Sequence, residues 1–243
     1  MLGGTGEARD LAARLVAEGI EVTSSLAGRV SNPALPAGAV RIGGFGGADG
    51  LAAYLRDTAP DALIDATHPF AATISANAAR ACGTTGTPLL ALRRPGWTQR
   101  PGDDWRRVPS VGAAAAAASE AGPGTVFLTT GRRDLAAFAG DGAHHYLVRT
   151  VDPPDVALPP RHTLLLARGP YDLAGERALL REHGVVLLVT KDSGGALTEA
   201  KLDAARELRV PVLVVDRPPL PPGVRTVASV ADALSWVRGS AGA

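Results

Sequence analysis

Short apolar runs alternate with longer helical patterns along almost the whole chain, and the turns between them carry glycine. The first turn is Gly3-Gly4-Thr5-Gly6, followed by a helical pattern over 7–18 and a strand pattern over 20–26. Further strand patterns occupy 40–42, 62–64 and 89–92, separated by helical patterns at 50–57 and 72–81. Alternation of this kind marks βαβ units, in which the strands lie parallel and helices cover the sheet. The fold class is therefore α/β.

The alternation breaks at 95–107, where Pro95-Gly96, Trp97, Pro101-Gly102 and Trp105 read as a connection. It then restarts, with strand patterns at 125–128, 146–150, 164–167, 185–189 and 212–215. Helical patterns lie at 134–139, 173–183, 198–208 and 230–238, and the alanines at 113–118 read as a small-residue helix face. The expected organisation is a lobe over 1–94, a connection over 95–107 and a second lobe over 108–243 that includes the terminal helix. A length of 243 residues, 46% of them hydrophobic, can bury one large core or two compact ones of roughly 100 residues each. Only Met1 and Leu2 precede the first glycine turn, whereas a strand feeding such a turn runs about five residues. Either the natural start lies upstream of Met1 or the strand is cut short.

The balance of 25 basic against 24 acidic residues gives no general attraction to nucleic acid or membrane, so an anionic ligand must be held by local basic clusters. No apolar run of about 18 residues and no signal-peptide pattern is visible, which points to a soluble cytoplasmic protein. The single cysteine, Cys82, rules out an internal disulfide and a cysteine-cluster metal site. His144-His145 has no carboxylate or cysteine cluster nearby and reads as a surface pair, so no metal is assigned. The chain has no Gly-x-Ser-x-Gly elbow, no P-loop and no His-Glu-x-x-His.

Gly3, Gly4, Thr5 and Gly6 stand where a dinucleotide fingerprint stands, with small residues letting a pyrophosphate approach backbone and helix N-terminus. Arg9 occupies the third small position, so a plain tight turn is the competing account. An NAD site usually places an acid at the end of the second strand, the position that 24–29 occupy in this chain. Here Ser24, Ser25 and Arg29 stand instead, which favours a 2′-phosphate and hence NADPH, unless Arg29 is only a solvated surface charge. Asp65, Thr67 and His68 follow a buried strand at its carboxyl edge, where they either face a ligand or cap the next helix. In the second half, Arg132 and Arg133, then Arg168, then Lys191 and Ser193 stand beside glycines after three of the strands. Such rims suit a carboxylate-rich or phosphate-rich ligand, though each alone also reads as a turn glycine beside a surface charge.

Taken in order, GGTGEAR (3–9), SLAGR (25–29), GGFGG (43–47), DATHPFA (65–71), RRPGWTQRPGDDW (93–105), TTGR (129–132), ARGP (167–170) and TKDSGG (190–195) resemble the precorrin-6A reductase family of cobalamin biosynthesis. The resemblance implies two Rossmann-like lobes, each a parallel sheet flanked by helices, with NADPH and a tetrapyrrole-derived macrocycle meeting in a cleft between them. It implies hydride transfer to C19 and protonation at C18, giving precorrin-6B. It gives Arg132, Arg133, Arg168 and Lys191 acetate and propionate groups to hold, and it leaves room for transient contact with neighbouring pathway enzymes. For a proton donor, His68 suits best by its ordinary pKa, followed by Asp65 and then solvent. Two other readings stay open. A different NADPH-dependent reductase would show a Tyr-x-x-x-Lys pair, absent at Tyr54, Tyr146 and Tyr171. A non-catalytic NADPH sensor would bind the nucleotide without consuming it.

Overall fold

The computed structural model describes residues 1–28 and 35–240. The chain forms two compact units, Met1–Pro95 with Pro218–Ala243, and Gly96–Arg217.

In the first unit Leu2 stands for an entire strand. It bridges in parallel to Ser25 on one side and Asp65 on the other. Its N–H donates to the Ile64 carbonyl at 2.8 Å and its carbonyl accepts from Ala66 at 2.9 Å, while Gly3 N–H reaches Ser25 at 3.0 Å. The ladder is thus satisfied on both sides over the two residues available. The chain continues through α1 (Gly6–Ala17), β1 (Thr23–Leu26), β2 (Ala39–Ile42), α2 (Ala48–Thr58), β3 (Leu63–Asp65), α3 (Ala72–Thr85) and β4 (Leu89–Leu92). Helix α1 begins where Thr5 caps it, its hydroxyl accepting the Ala8 N–H at 3.1 Å. Helix α3 ends at Gly86, whose φ of +75° is the left-handed turn that glycine adopts without strain.

The second unit contains β5 (Trp105–Val108), α4 (Val111–Ala118), β6 (Thr125–Thr129), β7 (His145–Thr150), β8 (His162–Leu166), α5 (Leu173–Glu182), β9 (Val185–Lys191), α6 (Ala200–Leu208) and β10 (Val212–Val215). All six strands are parallel, in the order β5-β10-β9-β6-β7-β8. The central strands are buried on both faces, which is why they read as continuous apolar runs. The expected helix at 134–139 is instead a four-residue 3-10 turn, Leu135–Phe138. Leu135 and Phe138 are fully buried, so the segment is held by packing and not by helical length.

Two expected boundaries are corrected. Residues 95–107 do not form a connection: from Gly96 onward they belong to the second unit. Trp97 lies in its core, and Trp105 begins an edge strand paired with β10. Two indoles are too apolar to leave in a linker. The terminal helix does not belong with the second lobe either. After β10 the chain passes Pro218, Pro219, Pro221 and Pro222, which supply no N–H for a ladder, and returns to the first unit. There β11 (Arg225–Val227) pairs with β4, and α7 (Val230–Ser240) buries Ala233 and Leu234 in the same core as Leu11, Leu15 and Leu90. The first sheet therefore runs β2-β1-Leu2-β3-β4-β11, all parallel. Counted along the chain that order is 3-2-1-4-5-6, the Rossmann order, reversing beside Leu2.

Candidate active site

In an open parallel sheet, ligands bind outside the carboxyl ends of the strands where the order reverses. In the first unit that point is flanked by the Gly3–Gly6 turn after Leu2 and the Asp65–His68 turn after β3. Gly4 has a φ of +116°, a conformation for glycine, and a β-carbon placed on it would meet nothing within 4 Å. The turn is therefore open on the side where a ligand's phosphate would approach, and Gly6 begins the twelve-residue α1. Thr5 works inward: besides capping α1, its hydroxyl donates to the Ala66 carbonyl at 2.9 Å, fastening the two turns together.

Asp65 is buried and both of its oxygens are engaged. One accepts the Thr67 hydroxyl at 2.6 Å and the Thr67 N–H at 3.1 Å, and the other accepts the Ser75 hydroxyl at 2.5 Å. Its carboxylate closes the turn that presents Thr67 and His68. His68 is exposed, and its Nδ1 accepts the Phe70 N–H at 3.2 Å, which puts the hydrogen of the neutral ring on Nε2. A pocket of about 10 Å³, room for one water, is lined by Asp65, Thr67, His68, Ser75 and Arg93 among others.

At the ends of β1 and β2, Ser25 faces Arg41. The guanidinium lies 3.4 Å from the Ser25 hydroxyl, donates to the carbonyls of Gly43 at 2.7 Å and Gly44 at 2.9 Å, and stacks on Phe45 at 3.9 Å. Arg29 lies outside the described residues. Arg41 was missed by sequence reasoning, although a lone arginine near the end of an apolar strand, just before GGFGG, was a usable signal. Arg94 was missed as well. It pairs with Glu7 in the first turn of α1 at 2.8 Å, neutralising an acid that would otherwise repel a phosphate there.

In the second unit the order reverses between β6 and β9. The turn after β6 carries Arg132 and Arg133, while β9 ends on Lys191 and the turn beyond it carries Ser193. The Lys191–Asp134 ion pair ties these two turns together. Arg133 is exposed, and Arg132 reaches the Pro153 carbonyl at 3.4 Å. Arg168 follows β8, two strands from β6, so the structure groups four of the five expected rim residues and sets Arg168 apart at the sheet edge.

Below this rim, on α5, α6 and β7, Arg149 forms a buried bidentate pair with Glu176 and stacks on Tyr171 at 3.8 Å. Burial pushes the nearby Lys201 ammonium down to about 7. At the opposite, amino edge of the sheet, His144 is buried and not part of a surface pair. Its ring contacts Asp141 at 2.8 Å and the Ala121 carbonyl at 3.0 Å. Burial likewise raises the Cys82 thiol to about 11, as suits a core residue. Among the described residues no group of three or more histidine, cysteine or acidic side chains is placed to hold a metal, and no helix is long and apolar enough to cross a membrane.

Residues 1–238 match the family described as "Precorrin-6x reductase CbiJ/CobK". The chain is 57% identical over 238 residues to a precorrin-6A reductase of Rhodococcus erythropolis, covering 98% of this chain and 96% of that protein. It is 54% identical over 240 residues to one of Mycobacterium tuberculosis, again covering 98% and 96%. A solved structure titled "CobK precorrin-6A reductase" superposes with a TM-score of 0.91 at 44% identity, covering 98% of this chain and 95% of that one.

Proposed function

The chain belongs to the precorrin-6x reductase family, CbiJ/CobK, and on that premise we propose that NADPH is its hydride donor, held by the first unit, while the charged rim of the second unit holds the substrate. The protein is an oxidoreductase that reduces precorrin-6A, a tetrapyrrole precursor, in cobalamin biosynthesis. The sensor and the unrelated reductase fall with that membership. A cytoplasmic setting is part of the same proposal.

The observation that carries the cofactor assignment is the reversal of strand order beside Leu2, with an open Gly4 and the N-terminus of α1 at that point. Gly3, Gly4 and Gly6 let the pyrophosphate reach the backbone, Ser25 and Arg29 receive the 2′-phosphate, and Thr5 and Thr67 keep the two turns in place. Bound there, NADPH supplies a hydride from its nicotinamide ring. The protein's part is orientation and proton handling.

His68 is the residue we assign to the proton delivered to the macrocycle, with Asp65 holding its turn. As arranged, the neutral ring offers the hydrogen on Nε2. Outright transfer needs the charged ring, in which Nδ1 also carries hydrogen and the Phe70 contact opens. Arg132, Arg133, Arg168, Lys191 and Ser193 orient the substrate through its carboxylates, since guanidinium and ammonium groups bind such anions with charge-assisted hydrogen bonds.

The test is to mix the protein with precorrin-6A and either NADPH or NADH and follow nicotinamide absorbance. Oxidation of NADPH at a rate well above that of NADH supports the cofactor assignment, and equal rates sink it. In single turnovers with both ligands saturating, His68→Ala should slow the reduction; an unchanged rate removes His68 from proton delivery.

A further inference from the structure

Gly96, Trp97 and Asp192 are not explained by the site as drawn. A β-carbon on Gly96 would sit 2.7 and 3.0 Å from the two carboxylate oxygens of Asp192, so a larger residue there would displace that carboxylate from its partners. Asp192 is 5% exposed, and its carboxylate accepts the Trp97 N–H at 2.9 Å and Arg107 Nη2 at 2.9 Å. Arg217 Nε donates to the Asp192 carbonyl at 2.6 Å, and the Asp192 N–H donates to Val215 at 3.0 Å. The indole N–H of Trp97 reaches the Gly195 carbonyl at 3.2 Å. Trp97 therefore grips the turn after β9 at both ends, by its backbone at Asp192 and by its side chain at Gly195. Beneath the indole, the Lys201 ammonium lies 4.6 Å from the ring centre and donates to the Thr198 carbonyl at 2.8 Å.

The gripped turn is Asp192 to Gly195, entered from Lys191 at the end of β9 and carrying Ser193. Gly194 and Gly195 have φ values of +64° and +77°, so the turn holds little stiffness of its own. A lysine ammonium is a point charge on a flexible stem, and its usefulness to a ligand depends on how firmly its backbone is held.

We infer that Gly96, Trp97 and Asp192 form a clamp that positions Lys191 and Ser193 for a carboxylate of the macrocycle. They act as positioning residues and do not touch the substrate. The inference rests on the reading that Lys191 and Ser193 hold the substrate.

Steady-state kinetics with precorrin-6A and NADPH test it in four variants. Trp97→Phe removes the indole donor and keeps a ring. Asp192→Asn keeps an acceptor for the Trp97 N–H and gives up the charge facing Arg107. Lys191→Met reports on the underlying reading, and the fourth is the Trp97→Phe/Lys191→Met double variant. Thermal melts accompany each, and if Trp97→Phe does not fold, Asp192→Asn with its own Lys191→Met double variant carries the test.

Trp97→Phe and Asp192→Asn should raise the KM for precorrin-6A about tenfold, which corresponds to about 1.4 kcal/mol of lost substrate binding. The KM for NADPH and kcat should stay within about twofold. Because the clamp acts through Lys191 and Ser193, the double variant should lose less than the two single losses combined. If Lys191→Met raises the substrate KM while both clamp variants leave it unchanged, the clamp is overturned and the substrate reading stands. Additive losses in the double variant also overturn it. If Lys191→Met leaves the substrate KM unchanged, the reading fails and the clamp fails with it.

Discussion

Both units are parallel sheets whose strand order reverses once, but the turns at the two reversal points differ. In the first unit the arginines near the turns donate inward: Arg41 to the Gly43 and Gly44 carbonyls, Arg93 to those of Pro69 and Pro218, and Arg94 to Glu7. What faces outward at the glycine turn is backbone. In the second unit Arg133 and Arg168 are exposed on the rim, and Lys191 joins the two turns by an ion pair. The buried carboxylates differ in the same way. Asp65 is held by two hydroxyls and an N–H, whereas Glu176 is held by a guanidinium. A rim of backbone N–H groups suits a ligand of fixed shape brought close to the chain. A rim of long cations suits one whose charges are spread around its edge.

The largest effect should come from breaking the charged construction of the second unit at its base. Glu176→Ala leaves Arg149 buried and unpaired, with Lys201 still nearby. A loss of about 3–5 kcal/mol is expected, read by urea unfolding of the whole chain. The comparable cut in the first unit, Ser75→Ala, removes one of the three donors to Asp65 and should cost about 1–3 kcal/mol. If Ser75→Ala proved the more damaging, the contrast between the two constructions would be wrong.

Next comes Gly4. A valine there must take a φ of +116°, which costs about 1–3 kcal/mol of strain, and its side chain fills the open side of the turn. NADPH binding measured by fluorescence should weaken about a hundredfold, on the scale of ~1.4 kcal/mol per tenfold, while substrate binding stays near wild type. Equal losses for both ligands would mean that the two rims do not divide the ligands between them. A smaller effect is expected at Arg29: Arg29→Ala should raise the KM for NADPH about tenfold and leave that for NADH almost unchanged. Parallel changes for both nucleotides would remove the 2′-phosphate assignment.

The contrast also separates what was legible in the sequence from what was not. Buried parallel strands announce themselves as apolar runs, so 89–92 and 212–215 could be placed to the residue. The edge strand Trp105–Val108 could not, because two of its four residues are arginines, and the three-residue β11 is too short to form a pattern. The return of the chain to the first unit has no local signature, since the pairing of β11 with β4 joins segments more than a hundred residues apart. At the candidate site, the glycine turn and each separate cationic segment are made of sequence neighbours and stand out in the sequence, whereas the meeting of the 131–134 and 190–193 segments does not. Arg41, Asp192 and Trp97 gain their meaning from partners brought near by strand register, which no window of sequence contains.

The smallest effect tests whether the charged character of the second unit extends to the amino edge of its sheet. Burial works against the Asp141 carboxylate, but hydrogen bonds from the Tyr146 hydroxyl, the His144 ring and two backbone N–H groups outweigh it and hold the carboxyl down at about 2. The hydrogen bond to Asp141, helped by the Ala121 carbonyl, raises His144 above its ordinary value against the opposing effect of burial. With an acceptor at each ring nitrogen, the charged ring is the form this pocket binds. A raised folded-state pKa contributes stability that is complete below the unfolded value of about 6.5 and disappears as pH rises through the folded value. Asp141 works in the other direction, contributing above its unfolded value and losing that contribution as pH falls toward about 2. Thermal melts from pH 5.5 to 9 should therefore show a wild-type advantage over His144→Gln that is largest at the acid end and shrinks as pH rises. An advantage independent of pH would make His144 a neutral packing residue and confine the charged construction to the rim and the Arg149 pair.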